Sequence, residues 1–521
     1  MAGVYAAEQA ARRDVEQSQR EILRKLLRRG AKTTWGRAHG LTDSDSYVQF
    51  AAKVEAADYE VFRPLVERMV RGEADLLWPG TCRRFAQSSG TSGSKSKFIP
   101  VTAEALSRNH YAGAAYSLAS YLRFHPESRV FGGENFILGG SFANEIRELP
   151  AGVKVGDLSA TLIDRINPLV NLFRIPDKAT ALMADWTRKL PQLVEKSLHA
   201  DVRSISGVPS WFLTVLKEVL KAAGAENIHQ VWPNLEVFFH GGIAFGPYRG
   251  QYARITDPGR MHYWENYNAS EGFFAVQERP DAPEMGLLMN AGVFYEFLDV
   301  ADSAAEPVPA WEVAEGKVYE LVITSSNGLW RYRIGDTVRI ERTDPLLIVI
   351  AGRTRAFINA FGEEVMVCNT DAALREVCTA TGAEVADYTA APVYAGDRTR
   401  GRHQWLVEFV RMPDCSIGEF ARQLDEALQR QNSDYQAKRS GNIFLDCLEV
   451  IPVRIGLFNS WLAATGKLGG QRKVPRLSND RALMDRLLEM NSETSGLHSG
   501  NSSTHSETYG THSETSPYTT E

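Results

Sequence analysis

Apolar residues recur along the chain at two spacings, one typical of helices and one typical of strands. Near the N-terminus a helical stripe runs up to Gly30, where glycine is a common helix end. The stripe consists of Val15, Ile22, Leu23, Leu26 and Leu27. Arginines and a lysine flank it, and a basic amphipathic helix of this kind can lie on a membrane surface. We expect instead that the stripe packs on the protein body while the arginine stems cover its rim.

Short apolar runs that stop at glycines or turn residues predict buried strands. They lie at residues 136–138, 235–239, 318–324 and 347–350. The second run stops at His240-Gly241-Gly242, and glycines at the carboxyl end of a strand let a ligand approach the backbone closely. A helix is predicted to start at residues 206–211, and its apolar face is either core or the lining of an acyl pocket.

The pattern changes after residue 360 to a mixture of strands and helices. Strands are predicted at 405–410 and 448–451, with a helix on Phe420, Leu424 and Leu428 between them. A last helix carries Leu483, Leu487 and Met490. The residues from 491 onward are almost free of aliphatic side chains, which predicts disorder.

The fold class expected from this pattern is α/β. A large N-terminal domain of mixed β-sheets and helices is predicted over residues 1–360, and a smaller, mobile α+β domain over 361–490. Residues 491–521 form the predicted disordered tail. A chain of 521 residues is also too long for one ordinary core, which agrees with two domains.

Composition narrows the class of protein. The 44% hydrophobic and 23% charged residues are typical of a soluble globular chain. A net charge of -6 gives no reason to expect nucleic acid as a partner. Five scattered cysteines without C-x-x-C spacing predict reduced thiols, and no apolar run is long enough to span a membrane. Since the N-terminus also lacks a signal-peptide core, we expect a cytoplasmic monomer.

The segment from Ser88 to Pro100 has the composition of a phosphate-binding loop. Hydroxyl side chains, two glycines and two lysines precede an apolar end at Ile99-Pro100. Glycines let backbone N–H groups converge on an anion, hydroxyls add donors, and lysine adds a mobile charge. The glycine spacing excludes a Walker A loop. A flexible Gly/Ser linker is the alternative.

Two further segments carry candidate chemistry. Tyr267-Asn268-Ala269-Ser270-Glu271 lies between aromatic runs, where a tyrosine can stack on a purine and a carboxylate can hold magnesium. Glu271 taken alone is more often a surface acid. In Tyr332-Arg333-Ile334-Gly335-Asp336 the carboxylate is suited to accept hydrogen bonds from two ribose hydroxyls. The alternative there is an arginine–aspartate pair that closes a turn.

These three motifs, in this order, resemble those of the auxin-responsive Gretchen Hagen family of acyl-acid amido synthetases, within the adenylate-forming superfamily. Residues 58–60, 77–80 and 432–435 are similar to the bacterial branch, and the resemblance covers roughly residues 15 to 490. The chain departs from the family pattern at Ser94, where glycine is usual, and at Arg472, where tyrosine is usual. Near the predicted hinge it has Arg355 and Asn359 where many adenylating enzymes have aspartate and lysine.

The resemblance implies roles for individual residues. The implied catalytic residues are Lys97, Glu271 and Lys473, with Glu271 also the magnesium ligand and Lys467 the alternative to Lys473. The implied nucleotide-binding residues are Ser88, Ser89, Gly90, Thr91, Ser92, Gly241, Gly242, Tyr267, Ser270, Asp336 and Arg353.

The implied activity uses ATP and Mg2+ to adenylate a small carboxylic acid, whose acyl group then passes to the amine of an amino acid. Such chemistry needs no nucleophile on the enzyme, in agreement with the lack of an obvious Ser-His-Asp or Cys-His set. Two other readings remain open at this point. One is a ligase that transfers the same adenylate to coenzyme A or a carrier protein, and the other is a nucleotide-binding protein without turnover. The sequence identifies neither the acid nor the acceptor.

Overall fold

The computed structural model describes residues 1–88, 97–144, 146, 148–302, 304–353, 357–396, 400–464 and 474–497. The fold is α/β, with large multi-strand sheets covered by helices. The α-helices of the described residues are α1 (Ala2–Arg13), α2 (Val15–Gly30), α3 (Thr34–Ala38), α4 (Tyr47–Lys53), α5 (Tyr59–Val70), α6 (Ala103–Ala105), α7 (Tyr111–Phe124), α8 (Leu158–Arg165), α9 (Pro168–Asn171), α10 (Lys178–Ala181), α11 (Trp186–Ser197), α12 (Pro209–Ala223), α13 (Ile228–Val231), α14 (Gly246–Ile255), α15 (Val367–Thr381), α16 (Ile417–Gln431), α17 (Ser433–Arg439), α18 (Leu457–Ala464) and α19 (Ala482–Leu497).

The strands of the described residues are β1 (Arg84–Ser88), β2 (Lys97–Pro100), β3 (Glu134–Ile137), β4 (Lys154–Gly156), β5 (Arg174–Ile175), β6 (Val202–Gly207), β7 (Val237–Gly241), β8 (His262–Ala269), β9 (Gly272–Gln277), β10 (Met285–Leu287), β11 (Val293–Asp299), β12 (Val308–Pro309), β13 (Val318–Ser325), β14 (Leu329–Thr343), β15 (Leu346–Arg353), β16 (Phe357–Ile358), β17 (Val365–Met366), β18 (Glu384–Val393), β19 (Arg402–Arg411) and β20 (Glu449–Val453).

A 12-stranded sheet forms the centre of the molecule, in the order β12-β11-β13-β14-β15-β10-β9-β8-β7-β6-β3-β5. Strands β5, β3, β6, β7 and β8 run parallel to their neighbours, whereas every pairing from β8 to β12 is antiparallel. The change of direction at β8 brings the carboxyl ends of the parallel strands beside the β8–β9 turn. In open α/β sheets this edge is where ligands bind.

The predicted N-terminal helix is α2, and its apolar stripe packs on the body as expected. Ile22, Leu23, Leu26 and Leu27 are all buried, in one core with strands β11, β13 and β14. Helix α1 precedes it and is not predicted by the apolar pattern. Helix α1 is held partly by polar contacts, because the Glu8 carboxylate accepts hydrogen bonds from the backbone N–H groups of Met289 and Asn290, and partly by Tyr5, whose ring stacks on Tyr116.

The predicted strands of the N-terminal part correspond to β3, β7, β13 and β15, and the helix predicted from residue 206 starts at Pro209. Its apolar face is mostly core, and one of its residues lines a cavity. Phe212, Val215 and Leu216 are core, packed with β6 and β7. Trp211 lines a large cavity instead, described below.

Residues after 357 pack around a core of their own. Helices α15 and α16 cover the three-stranded sheet β18-β19-β20, with Trp405, Phe420 and Leu424 fully buried between them. The last helix, α19, runs to Leu497, so the helix continues beyond Met490, after which the sequence suggests a tail. Residues 498–521 lie outside the described part of the chain.

All five cysteines are free thiols in the structure. Among the helices of the described residues, none is both long and apolar enough to cross a membrane.

Candidate active site

A cavity of about 830 Å3 opens between the central sheet and the C-terminal part of the chain. Its volume is within the range of sites that hold cofactors or small substrates. One wall consists of β-strand ends and the β8–β9 turn, and the opposite wall comes from residues 357–479. The described site residues predicted from the sequence that line it are Ser88, Lys97, Gly242, Tyr267, Ser270, Glu271 and Asp336.

Lys97 is placed by a hairpin. It is the first residue of β2 and pairs with Ser88, the last residue of β1. The side chain is buried, and its Nζ donates a hydrogen bond of 3.3 Å to the Tyr332 hydroxyl. It also lies 5.8 Å from the centre of the Tyr59 ring. Aromatic faces attract a cation, so the Tyr59 ring is a favourable neighbour for this ammonium.

Glu271 lies at the tight β8–β9 turn and is buried rather than on the surface. The Tyr332 hydroxyl that accepts from Lys97 donates in turn to Glu271 Oε1 at 3.4 Å. Burial raises the pKa of this carboxyl, and the positive charge of Lys97 opposes the rise. A lysine, a tyrosine and a carboxylate from three separate strands or turns therefore form one polar chain along the cavity wall.

Asp336 projects from β14, directly after Gly335. The glycine has a φ of 88°, a left-handed conformation that other residues rarely adopt. The Asp336 Oδ2 accepts a 2.7 Å hydrogen bond from the Tyr267 hydroxyl on β8. The motif residues predicted to bind purine and ribose thus contact each other, a link that sequence spacing does not reveal.

Arg333, in the same motif, does not close a turn with Asp336. Its guanidinium pairs with Glu320 at 2.6 Å, on the neighbouring strand β13. Within this motif, the arginine therefore pairs with the neighbouring strand and not with Asp336. Arg331 pairs with the buried Glu296 at 2.9 Å and is structural.

The two glycines after β7 have different surroundings. A side chain at Gly241 would place its Cβ 2.3 Å from the Asn266 carbonyl oxygen, so this glycine permits close packing of β7 on β8. Gly242 has a φ of 84°, and a Cβ there meets nothing closer than 3.6 Å. Of the pair, Gly242 lines the cavity. His240 also lines it, but burial lowers the pKa of its imidazole to about 3, so the ring is neutral.

Several of the site residues predicted from the sequence lie outside the described part of the chain. Ser89, Gly90, Thr91, Ser92 and Lys473 lie outside the described residues, as does the alternative Lys467. The backbone of Arg353 ends β15 opposite Asp336, which brings its Cα next to the motif strand.

The opposite wall was not predicted as a site. It includes Asn359, Tyr394, Asp434, Lys438 and Asn479. Asn359 Nδ2 donates to the Gly242 carbonyl at 3.3 Å, and Gln87 Nε2 donates to Ser433 Oγ at 3.2 Å, so the two walls touch. These residues are isolated polar positions in the sequence, although 432–435 and 359 lie in segments that the resemblance covers.

The residues present fit a magnesium–nucleotide complex in part. Within the described ranges, no three His, Cys, Asp or Glu side chains form a group that can hold a metal ion by themselves. Magnesium usually binds nucleotide phosphates together with one or two carboxylates, however, and Glu271 supplies one such carboxylate beside Lys97.

Family models match most of the chain. The GH3 family N-terminal domain matches residues 7–260, the GH3 family central domain residues 286–353, and the GH3 family C-terminal domain residues 369–482. The chain is 23% identical to a probable indole-3-acetic acid-amido synthetase GH3.1 of Arabidopsis thaliana, over 91% of both chains. It is also 23% identical to the indole-3-acetic acid-amido synthetase GH3.8 of Oryza sativa subsp. indica, over 89% of this chain and 88% of the relative.

Solved structures show the same fold. The GH3.15 acyl acid amido synthetase superposes with a TM-score of 0.57 at 18% identity, over 93% of this chain and 94% of that one. A 2-hydroxyisobutyryl-CoA ligase in complex with 2-HIB-AMP and CoA superposes with a TM-score of 0.55 at 14% identity, over 91% and 92%. Because both sequence identities are low, these structural similarities establish the shared fold alone.

Proposed function

Since the chain belongs to the GH3 family, we propose that it is an ATP-dependent acyl-acid amido synthetase. It activates a small carboxylic acid as an acyl-adenylate and joins the acyl group to the amine of an amino acid. The observation that carries the proposal is the convergence of Lys97, Glu271 and Asp336, from three separate motifs, on one cavity.

In the first half-reaction an oxygen of the acid's carboxylate attacks the α-phosphorus of ATP, and the bond to pyrophosphate breaks. Ser88 and Lys97 would contact the phosphates, and Asp336, oriented by Tyr267, would accept from the ribose hydroxyls. Glu271 would hold Mg2+, which neutralises phosphate charge when bound. Catalysis here consists of positioning and charge stabilisation.

In the second half-reaction the neutral amine of the acceptor attacks the acyl carbon, and the bond to AMP breaks. One proton leaves the acceptor's ammonium before the attack and a second leaves with amide formation. The amide and AMP are the products. The reaction requires that water stays out of the cavity while the adenylate is present.

The C-terminal residues 361–490 are proposed as a mobile cap that alternates between the half-reactions. Lys473, in the sequence segment Gln471-Arg472-Lys473-Val474-Pro475-Arg476, is proposed to meet the α-phosphate during adenylation. Losing one preorganised donor of this kind costs about 10²–10³ in rate. We expect Lys473→Ala to lose that much in adenylate formation and to consume a pre-made acyl-adenylate almost normally. The same loss in Lys467→Ala instead would assign the role to Lys467.

The decisive experiment is a panel of carboxylic acids scored by ATP–pyrophosphate exchange, followed by acceptor tests with the best acid. Mixed amino acids should release AMP and yield an amide detectable by mass, while coenzyme A should give no thioester above background. A thioester formed faster than any amide would make the chain a coenzyme A ligase, the second candidate, favoured by the fold shared with the 2-hydroxyisobutyryl-CoA ligase. If no acid of the panel supports ATP–pyrophosphate exchange, the chain would be a nucleotide-binding protein without turnover.

We further propose that the enzyme works as a cytoplasmic monomer. The five cysteines, all of them free thiols, support a reducing compartment. Light scattering of the purified protein tests the oligomeric state, and fractionation of the source cells tests the compartment.

A further inference from the structure

Two buried lysines lie over tryptophan rings on either side of the contact between the two parts of the chain. Lys189, on α11, has its Nζ 4.6 Å from the centre of the Trp186 ring. The same Nζ donates hydrogen bonds to the carbonyl oxygens of Gly139 at 2.6 Å and Ala181 at 2.7 Å. The backbone therefore satisfies this ammonium, and we regard Lys189 as structural.

Lys438, on α17, has no such backbone partners. Its Nζ lies 3.7 Å from the centre of the Trp211 ring, and the residue lines the cavity. The stem packs beside Gly362, where an added Cβ would lie 3.3 Å from Lys438 Cε. In the part of the chain that the structure describes, no oxygen atom is in hydrogen-bond or ion-pair contact with this ammonium. It is only 6% exposed.

A buried ammonium that rests on an aromatic face still lacks a charge-assisted hydrogen bond. Cation–π contact contributes less than a charge-assisted hydrogen bond, so an anion in the cavity would improve the environment of Lys438. The carboxylates of Asp157 and Asp434 line the same cavity and attract the lysine electrostatically. A buried cation with acidic neighbours matches a zwitterion, which presents a negative and a positive group together.

The reaction contains few anions that remain to be placed. The phosphates of ATP are assigned to the strand wall, with Ser88, Lys97 and Glu271. The carboxylate of the acyl acid becomes an uncharged acyl group once the adenylate forms. The α-carboxylate of the acceptor amino acid remains. It enters in the second half-reaction, and no residue of the strand wall has been assigned to bind it.

We propose that Lys438 binds the α-carboxylate of the acceptor amino acid and thereby selects amino acids over simple amines. The inference rests on the proposed function. The ammonium of the acceptor then faces the acidic side chains of Asp157 and Asp434, which line the same cavity.

The test compares Lys438→Met, which keeps an apolar stem on Trp211, with wild-type enzyme. Each is assayed with one accepted amino acid and with the α-carboxamide of that amino acid, which lacks the carboxylate. We expect the variant to raise KM for the amino acid by roughly 10- to 100-fold, the size of a lost charge-assisted bond, and to leave KM for the carboxamide unchanged. ATP–pyrophosphate exchange should be unaffected, and Lys438→Arg should restore part of the preference.

The matched control is Lys221→Met on α12, an exposed lysine whose substitution should change none of these quantities. Equal weakening of amino acid and carboxamide would make Lys438 structural, and a slower exchange would assign it to adenylation; either result overturns the inference. Wild-type enzyme tests it without any variant, because a KM for the carboxamide equal to that for the amino acid also overturns it. Failure of the proposed function is distinguishable, since wild-type enzyme would then exchange pyrophosphate but form no amide.

Discussion

The two walls of the cavity are built in different ways. On the strand wall, polar side chains from the central sheet and from β2 of the three-stranded sheet satisfy one another: Lys97 donates to Tyr332, Tyr332 to Glu271, and Tyr267 to Asp336. On the C-terminal wall, Lys438 rests on a tryptophan from the other part of the chain. The first wall is fixed by strand pairing, and the second depends on how the two parts of the chain contact each other.

This difference has a physical consequence for function. Hydrogen bonds made among strands of the N-terminal part do not depend on the C-terminal residues, so this wall would keep its geometry if the proposed cap moved, which suits the proposed binding of ATP. The contact between the parts includes hydrogen bonds such as Trp211 Nε1 to the Phe361 carbonyl at 3.1 Å and Tyr248 Oη to the Ala360 carbonyl at 2.6 Å. Phe444 also packs on the rings of Trp186 and Trp211. The position of the C-terminal wall therefore depends on side-chain contacts and not on strand pairing.

The largest expected effect is on the strand wall, at Glu271. Glu271→Gln removes the proposed magnesium ligand, and we expect ATP–pyrophosphate exchange to fall on the order of 10²–10³-fold. Since burial raises the pKa of Glu271, exchange by the wild type should decline with falling pH at values above those of an ordinary glutamate, and the variant should lose this limb. Glu195→Gln, an exposed position on α11, is the control. Near-normal exchange in Glu271→Gln would remove the carboxylate from metal binding.

A smaller effect is expected from the Tyr267–Asp336 pair. Asp336→Asn should weaken ATP binding in calorimetry by roughly 10- to 150-fold, the equivalent of about 1.5–3 kcal/mol for a charged hydrogen bond. Tyr267→Phe should weaken it less, because the carboxylate stays but loses its orientation. If the tyrosine acts through Asp336, the double variant should be little worse than Asp336→Asn. Additive losses would show that the Tyr267 hydroxyl contributes to nucleotide binding independently of Asp336.

Sequence patterns predicted the strand wall better than the C-terminal wall, for a structural reason. Contiguous motifs such as 267–271 and 332–336 lie on β8 and β14 of the same central sheet, and the fold of that sheet brings them to one cavity. The buried state of Glu271 and the Tyr267–Asp336 bond depend on tertiary packing, which spacing does not encode. Lys438 has no local signal at all, since its role follows from contact with Trp211, more than 200 residues away. The apolar pattern does not predict helix α1, since hydrogen bonds from the backbone of Met289 and Asn290 to Glu8 help to hold it.

Glu8 offers a buried carboxylate outside both walls. Burial raises its pKa from 4.5 to about 7, against the backbone N–H bonds and Arg12, which lower it. A raised folded-state pKa means that stability is full below about 4.5 and is lost as pH rises through about 7. The loss is at most about 3 kcal/mol. We expect the Tm of wild-type protein to fall more between pH 5 and pH 8 than that of Glu8→Gln. If the two proteins gave parallel profiles of Tm against pH, ionisation of Glu8 would not destabilise the folded state.

The smallest effect concerns the support of the C-terminal wall by the last helix, α19. Asn491 Oδ1 accepts a 3.2 Å hydrogen bond from the Arg454 backbone N–H, next to the core formed by Met484, Leu487 and Phe458. Truncation after Leu497 removes residues whose composition buries nothing, so we expect no change in Tm or in ATP–pyrophosphate exchange. Truncation after Met490 also removes Asn491 and should lower Tm by about 1 °C, since the loss of about 1 kcal/mol is divided by an unfolding entropy that grows with chain length. Calorimetry of the two truncated chains beside the full chain separates the helix from the tail.

Equal Tm values for all three chains would show that α19 is anchored by Met484 and Leu487 without its last turns. A fall in Tm already at the Leu497 truncation would show that residues beyond the helix help to hold the C-terminal wall.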